Sequence, residues 1–372
     1  MYFHQIKKAA LLFFITINTI ILIIFCGLIY YAVLAMKNPI RLNVQHDLPN
    51  MIEEDKKLGF RMKPFLNISY PVGNVKQDFI TDKNGNRAIS PDSPIITMAE
   101  VISIGCSQTW GHGVPADKTY SYVLGQLTQL PSVNLGVSSY GGVTSLRKLQ
   151  LFSNLNPRYV IYGYWYDHDT RNLSSCAPSF FDNCLAVPHI VFKNGNPEIV
   201  DPRPGNKDRF ESNIRQVRDL GAGRKEYSFF LDIWWLFKRD LARVVQNIGL
   251  SQVSVEGYQT NFSVEKKELS SKYLLRELAV EVRKLGATLI VVYIPNYFDP
   301  KEIQPVPRYI RAELSALGVT LIDMEPDFTN AKNTFGDEYL KVPNDGHLSI
   351  AGHDLIAQAV SNAIKVHKGS PH

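Results

Sequence analysis

Hydrophobic and polar positions change their period several times along the chain. From Ala9 to Met36 no acidic or basic side chain interrupts AALLFFITINTIILIIFCGLIYYAVLAM. A helix of that length, rising about 1.5 Å per residue, exceeds the roughly 30 Å hydrocarbon core of a bilayer. The run is about twice the length of the apolar region of a cleaved leader and ends in Tyr30, Tyr31 and Lys37 instead of a small-residue cleavage site, so it reads as an uncleaved anchor. Lys7 and Lys8 precede it, and Lys37 and Arg41 behind it are soon joined by Asp47, Glu53 and Glu54. This weak positive-inside bias puts the amino terminus in the cytoplasm and exports the body. Asn18, inside the run, reads as tolerated alone and not as a bond to another helix.

Residues 38–98 are rich in Pro, Asn, Asp and Lys, with the turn signal Asn84-Gly85, and read as a stalk plus a lead-in hairpin. From Val101 short β-branched runs alternate with helical periods. Strands are expected at Val101–Ile104, Val133–Leu135, Tyr159–Tyr162, Thr288–Tyr293 and Thr320–Ile322, and helices near 119–130, 142–155, 267–285, 306–317 and 349–365. The third helix carries Leu274, Leu278, Val282 and Leu285 on one face. Such alternation predicts an α/β fold, a parallel sheet with helices on both sides whose sites form at the carboxyl ends of the strands. Residues 170–262 break the pattern and read as an insertion. Its aromatic run Phe229, Phe230, Trp234, Trp235 and Phe237, followed by Lys238, Arg239 and Arg243, suits a core-packing helix better than one lying on a membrane. The expected organisation is an anchor over 1–37, a stalk and lead-in region over 38–98, and a folded domain over 99–368.

Composition narrows the classes. At 372 residues, 45% apolar and 20% charged, the chain is an ordinary folded protein and not disordered, collagenous or coiled-coil. A net charge of +5, with basic and acidic residues intermixed, gives no nucleic-acid stripe. Four cysteines are too few for a disulfide scaffold or a paired CxxC zinc cluster. Cys176 and Cys184 flank a short loop and are able to pair in an oxidising compartment, although spacing alone does not decide it.

The candidate chemistry lies at two distant places. Gly105-Cys106-Ser107-Gln108-Thr109-Trp110-Gly111 follows the first expected strand and presents the Ser107 hydroxyl and its own N–H at the strand end. Far downstream, Asp345-Gly346-His347-Leu348-Ser349 precedes the last helix. An acid two residues before a histidine orients its imidazole, and the imidazole takes a proton from a serine brought close by the fold. No metal and no cofactor is expected: the one other histidine near ligand spacing is His353. His112 reads as a rim residue, and His189 and His367 as incidental.

Three ordered blocks, GCSQTWGHGV, NLGVSSYGG and NDGHLSIAGH, with the lead-in DKNGNR at 82–87, resemble the SGNH (GDSL-type) hydrolases, specifically their membrane-anchored bacterial branch. The resemblance covers roughly 78–365 apart from the insertion. It implies a three-layer flavodoxin-like fold, with Ser107 as nucleophile, His347 as general base and then acid, and Asp345 holding the histidine tautomer. It implies an oxyanion hole from the backbone N–H groups of Ser107 and of Ser139, which stands where the family has Gly. The family's third donor is an Asn side chain, and by count Asp167 occupies its place. An ionised carboxylate cannot donate, so a protonated Asp167, His168 or Asn172 supplies the donor, or the hole has two. Cys106 replaces the family's Asp, which is not the nucleophile. A rival reading makes Cys106 itself the nucleophile, but its side chain would alternate away from that of Ser107, and a buried Cys suits a strand end.

The expected activity is that of a membrane-anchored serine esterase, on the periplasmic side of a bacterial inner membrane, acting on acylated envelope carbohydrate or lipid. The alternatives are O-acetyl transfer to an envelope polysaccharide, or a silent envelope-binding domain.

Overall fold

The structure is a computed structural model that describes residues 51–72, 75–94, 96–177, 185–202, 261–297, 303–343 and 345–369, with scattered positions between 16 and 33. Those scattered positions are helical. Among the described residues no helix is long and apolar enough to cross a membrane, and most of the apolar run 9–36 lies outside them. The aromatic run 229–237 and Cys184 lie outside as well. Everything below belongs to one compact unit, Asp47–Val217 with Glu256–His372.

Two antiparallel hairpins open this unit, β1 (Ile52–Asp55) with β2 (Gly59–Met62) and β3 (Asn67–Val72) with β4 (Val75–Ile80). They occupy the segment expected to be stalk and lead-in, and they bury Met51, Ile52, Leu58, Phe60, Met62 and Phe79. A five-stranded parallel sheet follows, built from β5 (Val101–Gly105), β6 (Ser132–Asn134), β7 (Tyr159–Trp165), β10 (Thr288–Ile294) and β11 (Thr320–Asp323). Within the segment expected to be an insertion lies a further hairpin, β8 (His189–Lys193) with β9 (Asn196–Val200).

The spatial order β11-β10-β7-β5-β6 is the flavodoxin-like 2-1-3-4-5 arrangement when the five strands are counted along the chain. All seven residues of β7 are buried, as a central parallel strand covered on both faces requires. Their alternation distributes them between two cores. On one face Ile102, Ile104, Val160, Tyr162, Tyr164, Val291 and Tyr293 meet α3 (Gly142–Leu151), α5 (Val264–Lys284) and α6 (Arg308–Ala316). On the other, Val101, Tyr159, Ile161, Ile290, Val292 and Ile294 meet α2 (Tyr120–Thr128), α7 (Glu325–Phe335) and α8 (Ile350–Gly369). The expected strands and the five expected helices are all present within a few residues. The turn expected to begin at Ser107 is the one-turn helix α1 (Ser107–Trp110). The short α4 (His168–Arg171) and the three-turn α7 are not marked in the sequence, because a four-residue turn carries no period and α7 has only Phe328 and Ala331 as buried residues.

From β5 the chain goes to β6 on one side and then crosses to β7 on the other. The order reverses there, so the loops leaving the carboxyl ends of β5 and β7 part to form a crevice.

Candidate active site

Ser107 stands at that crevice because the chain turns sharply after β5. Gly105 has φ +152°, and a Cβ there would lie 2.1 Å from Thr109 Oγ1 and 2.9 Å from the Gly163 carbonyl, so only glycine lets β5 pass so close to β7 and to α1. The α1 turn is closed by Gly111, a left-handed residue whose N–H donates to the Ser107 carbonyl. Asn134 locks the next loop onto it, donating from Nδ2 to the Thr109 carbonyl at 2.7 Å and accepting the Gly136 N–H at 3.0 Å.

The other half of the site is a tight turn ahead of α8. The Asp345 N–H donates to the Val342 carbonyl and the Val342 N–H to the His347 carbonyl. Asp345 Oδ1 accepts the His347 backbone N–H at 2.9 Å and lies 2.5 Å from His347 Nδ1. His347 Nε2 is 2.8 Å from Ser107 Oγ, across a sequence separation of 240 residues. Serine, histidine and aspartate therefore form one continuous hydrogen-bonded chain. Burial alone would raise the Asp345 carboxyl, but the bond to the His347 ring, that ring's charge and the smaller influence of His112 bring it down to about 2. An ionised Asp345 fixes the proton of a neutral His347 on Nδ1 and leaves Nε2 to accept from Ser107.

Several positioning groups were not singled out from sequence. Gln108 Oε1 accepts the Leu348 N–H at 3.1 Å and lies 3.0 Å from the Tyr297 hydroxyl, which also reaches the Gly346 carbonyl at 3.3 Å. This clamp ties the histidine turn to α1. Gln77 donates to the Gly111 and Val114 carbonyls and accepts the Gly113 N–H at 2.7 Å. The lead-in DKNGNR finds its use here: the buried Arg87 guanidinium donates to the Val114 and Asp78 carbonyls and lies 5.0 Å from the Trp110 ring centre. No period or block marks Gln77 or Tyr297, and Gln108, although inside the first block, carries no sign of its use, since each matters only through a partner far along the chain.

His112 is not a rim residue. It is buried, its ring centre is 4.5 Å from that of His347 and 5.5 Å from that of Phe79, and its Nδ1 has no hydrogen-bond partner. Burial, reinforced by His347 and Arg87, lowers it to about 3, so it is a neutral packing surface for the His347 imidazole. His353 is structural as well: buried at the start of α8, it accepts the Tyr120 N–H on Nδ1 at 3.2 Å and so serves the first turn of α2. Among the described residues the one grouping of metal-ligating side chains is His112, Asp345 and His347, with ligand atoms within 4.8 Å of one another. Capture of a metal would break the serine–histidine–aspartate chain, because both His347 nitrogens and Asp345 are already engaged in it.

On the opposite side of the crevice Ser139 has φ +69°, the left-handed conformation that suits the glycine usual in the resembling family. Among the described residues neither the Ser107 nor the Ser139 N–H has an acceptor within the protein. Asp167 Oδ2 accepts from Arg171 Nε at 3.1 Å, and Arg171 Nη1 donates to the Tyr140 carbonyl at 3.1 Å. The Arg171 side chain, 12% exposed, thus links the loop after β7 to the loop after β6, on either side of β5. His168 is fully buried, 2.8 Å from the Tyr162 hydroxyl through Nδ1 and stacked on that ring. Asn172 is equally buried and caps α3 through the Gly142 N–H at 3.0 Å. Neither makes a contact with Ser107 among the described residues. Cys106 is buried in the α2–α8 core, where burial raises its thiol despite Arg171, which leaves it a poor nucleophile. Cys176 is disulfide-bonded, and Cys26 and Cys106 are free. His189 starts β8, and the side chain of His367 lies outside the described residues.

Fold and site together define a flavodoxin-like α/β protein with a Ser-His-Asp chain at its topological switch point. No protein-family model matches the chain, and no curated protein sequence does. Similar solved structures include LAE5, an alpha/beta hydrolase enzyme from the metagenome of Lake Arreo, Spain, at 15% identity and TM-score 0.38, covering 73% of this chain and 97% of that one. They include a GDSL-like lipase from Parabacteroides merdae, at 12% identity and TM-score 0.38 over 73% of this chain and 100% of that one. TesA is similar at 11% identity and TM-score 0.36 over 72% and 98% of the two chains. Likeness of this degree carries no weight for activity, which rests on the residues themselves.

Proposed function

We propose that this protein is a serine esterase of the SGNH type. The observation that carries the reading is the unbroken chain from Ser107 Oγ to His347 Nε2 at 2.8 Å and from His347 Nδ1 to Asp345 at 2.5 Å, beside two backbone N–H groups without internal acceptors. In this mechanism Ser107 Oγ attacks the acyl carbonyl while its proton passes to His347 Nε2, and Asp345 stabilises the resulting imidazolium. The Ser107 and Ser139 N–H groups receive the tetrahedral oxyanion. Arg171, held by Asp167 and the Tyr140 carbonyl, supplies the positive charge on the side where the resembling family has an Asn. His347 then protonates the leaving alkoxide, the acyl group stays on Ser107, and water activated by the same imidazole releases it as the acid.

The charge-free run 9–36 supports a single-pass anchor with this unit on the periplasmic side of a bacterial inner membrane. That address supports acylated envelope carbohydrate or lipid as the substrate. Delivery of the same acyl group to a sugar hydroxyl in place of water would make the protein an O-acetyltransferase.

The test is p-nitrophenyl acetate hydrolysis by the full-length protein beside Ser107→Ala. Activity that disappears in the variant supports the esterase. A folded wild type no faster than Ser107→Ala rejects it and leaves acyl transfer or a silent binding domain, which an acceptor polysaccharide separates: a transferase then releases p-nitrophenolate and leaves the acetyl group on the polysaccharide, and a silent domain does neither.

A further inference from the structure

A second site lies at the opposite end of the sheet. A cavity of about 470 Å³, a size usual for small-ligand pockets, is bounded by the β1–β2 hairpin, the segment ahead of β5 and the end of α3. Asn154 and Leu155 line it shortly before β7, so it sits at the amino ends of strands whose carboxyl ends carry Ser107.

Lys148, in the last turn of α3, lines this cavity while only 2% exposed. Among the described residues its ammonium makes no hydrogen bond or ion pair; Nζ lies 6.0 Å from the Phe152 ring centre, and Asp82 and Asp55 act on it from beyond ion-pair distance. A buried ammonium with no counter-ion in contact costs several kcal/mol, and a methionine would fill much of the same space without that cost. The other charges on the cavity are Arg61, Lys83 and Asp55. Arg61 is already paired with Glu53 at 2.6 Å, and Asp55 accepts the N–H groups of Lys57 and Leu58. With Arg61 paired to Glu53, Lys148 and Lys83 balance Asp55 on the lining and the neighbouring Asp82, which also acts on the Lys148 ammonium. Amides from Asn84 and Asn154 and an apolar wall that includes Phe152 complete the lining.

We propose that this cavity binds a sugar acid, a monoanionic polyhydroxylated carboxylate of the hexuronate type. Its carboxylate pairs with Lys148, its hydroxyls meet Asn84 and Asn154, and one face of its ring rests on Phe152. A single buried ammonium matches a carboxylate better than a phosphate dianion, and an aromatic wall beside amides suits a sugar ring better than an inorganic ion. No residue is shared with the Ser107 site, so this assignment stands or falls apart from the esterase reading.

Burial pulls the Lys148 amine down to about 7, with Asp82 and Asp55 opposing and Arg61 assisting. At about pH 8 the empty site is therefore largely neutral and takes up close to one proton when a carboxylate binds. The experiment is calorimetric titration of the full-length protein at about pH 8 with sodium glucuronate, glucose and inorganic phosphate, each in two buffers of different ionisation enthalpy. Glucuronate should bind saturably with proton uptake, and glucose and phosphate about tenfold more weakly or worse. Lys148→Met should lower glucuronate affinity about tenfold or more and abolish the buffer dependence. Should that variant not fold, Lys83→Gln and Asn154→Ala at the rim decide, each being expected to weaken glucuronate and leave the protein folded. No saturable glucuronate heat, equal binding of glucose, tighter binding of phosphate, or affinity unchanged by these substitutions would overturn the assignment.

Discussion

The two sides of the crevice are built by different means. On the histidine side, Asp345 and His347 are two residues apart in one turn, closed by their own backbone bonds and joined to Ser107 by a single long-range contact that Gln108 reinforces. On the donor side, Ser139 and Asp167 belong to separate loops, and the side chain of Arg171 links those loops. A turn that orients its own catalytic groups tolerates little exchange, because each atom has a defined partner. Under the proposed esterase reading, the donor side keeps a backbone N–H at Ser139, where the resembling family has Gly, and sets a guanidinium beside the Asp167 carboxylate, where that family has Asn.

That contrast is open to test from both sides. The largest effect is expected on the histidine side: Asp345→Asn should leave the fold intact and lower kcat for p-nitrophenyl acetate by about 10⁴, because the amide stabilises the wrong tautomer of His347. A loss of only a few-fold, measured by steady-state kinetics, would mean that Asp345 is not the orienting group.

On the donor side Arg171→Ala should lower kcat by about 10²–10³ with little change in KM, the cost of one oxyanion donor. Adding Asp167→Asn should restore part of that loss by placing an amide where a carboxylate had lost its partner. An Arg171→Ala enzyme with unchanged kcat would reduce the donor side to its two backbone groups.

Gln108→Ala tests how firmly the histidine side is held to α1. It leaves the Leu348 N–H without its acceptor at a cost of about 1–3 kcal/mol, and thermal unfolding together with a raised KM-independent barrier should report the loosened histidine turn. Equal stability and equal kcat would show that the turn holds its place unaided.

The effect furthest from catalysis concerns acid. Burial holds His353 at about 3, against an ordinary value of about 6.5. The unfolded chain therefore binds one more proton than the folded chain between those limits. Stability from this group is complete above about pH 6.5 and is lost as pH falls towards about 3, by at most about 1.4 kcal/mol per pH unit. His353→Gln keeps an acceptor for the Tyr120 N–H and should flatten denaturant midpoints over that window; an unchanged slope would mean that His353 titrates normally in the folded protein.

Much of this was legible beforehand for identifiable reasons. The sheet strands are runs of apolar residues buried on both faces, and α5 repeats Leu274, Leu278 and Val282 at helical spacing. Gly105, Ser107, Asp345 and His347 lie within short segments whose local chemistry points to their use. His112 was read as peripheral because its neighbour His347 is remote in sequence. His168 and Asn172, candidates for the third donor, are buried on Tyr162 and α3, because the loop leaving β7 turns at once into α4 and carries their side chains into the core.

What the sequence by itself determined is the set of periodic elements and the two short segments that carry the hydroxyl, the imidazole and the carboxylate, since periodicity and tight turns are local properties of the chain. The tertiary structure decided which distant groups meet: Gln108 with the histidine turn, Arg171 between two loops, and Lys148 buried against a cavity beside Phe152. Those pairings depend on strand order and on helix packing across the sheet, and a linear pattern holds no record of which remote side chain will face a given atom once the layers close.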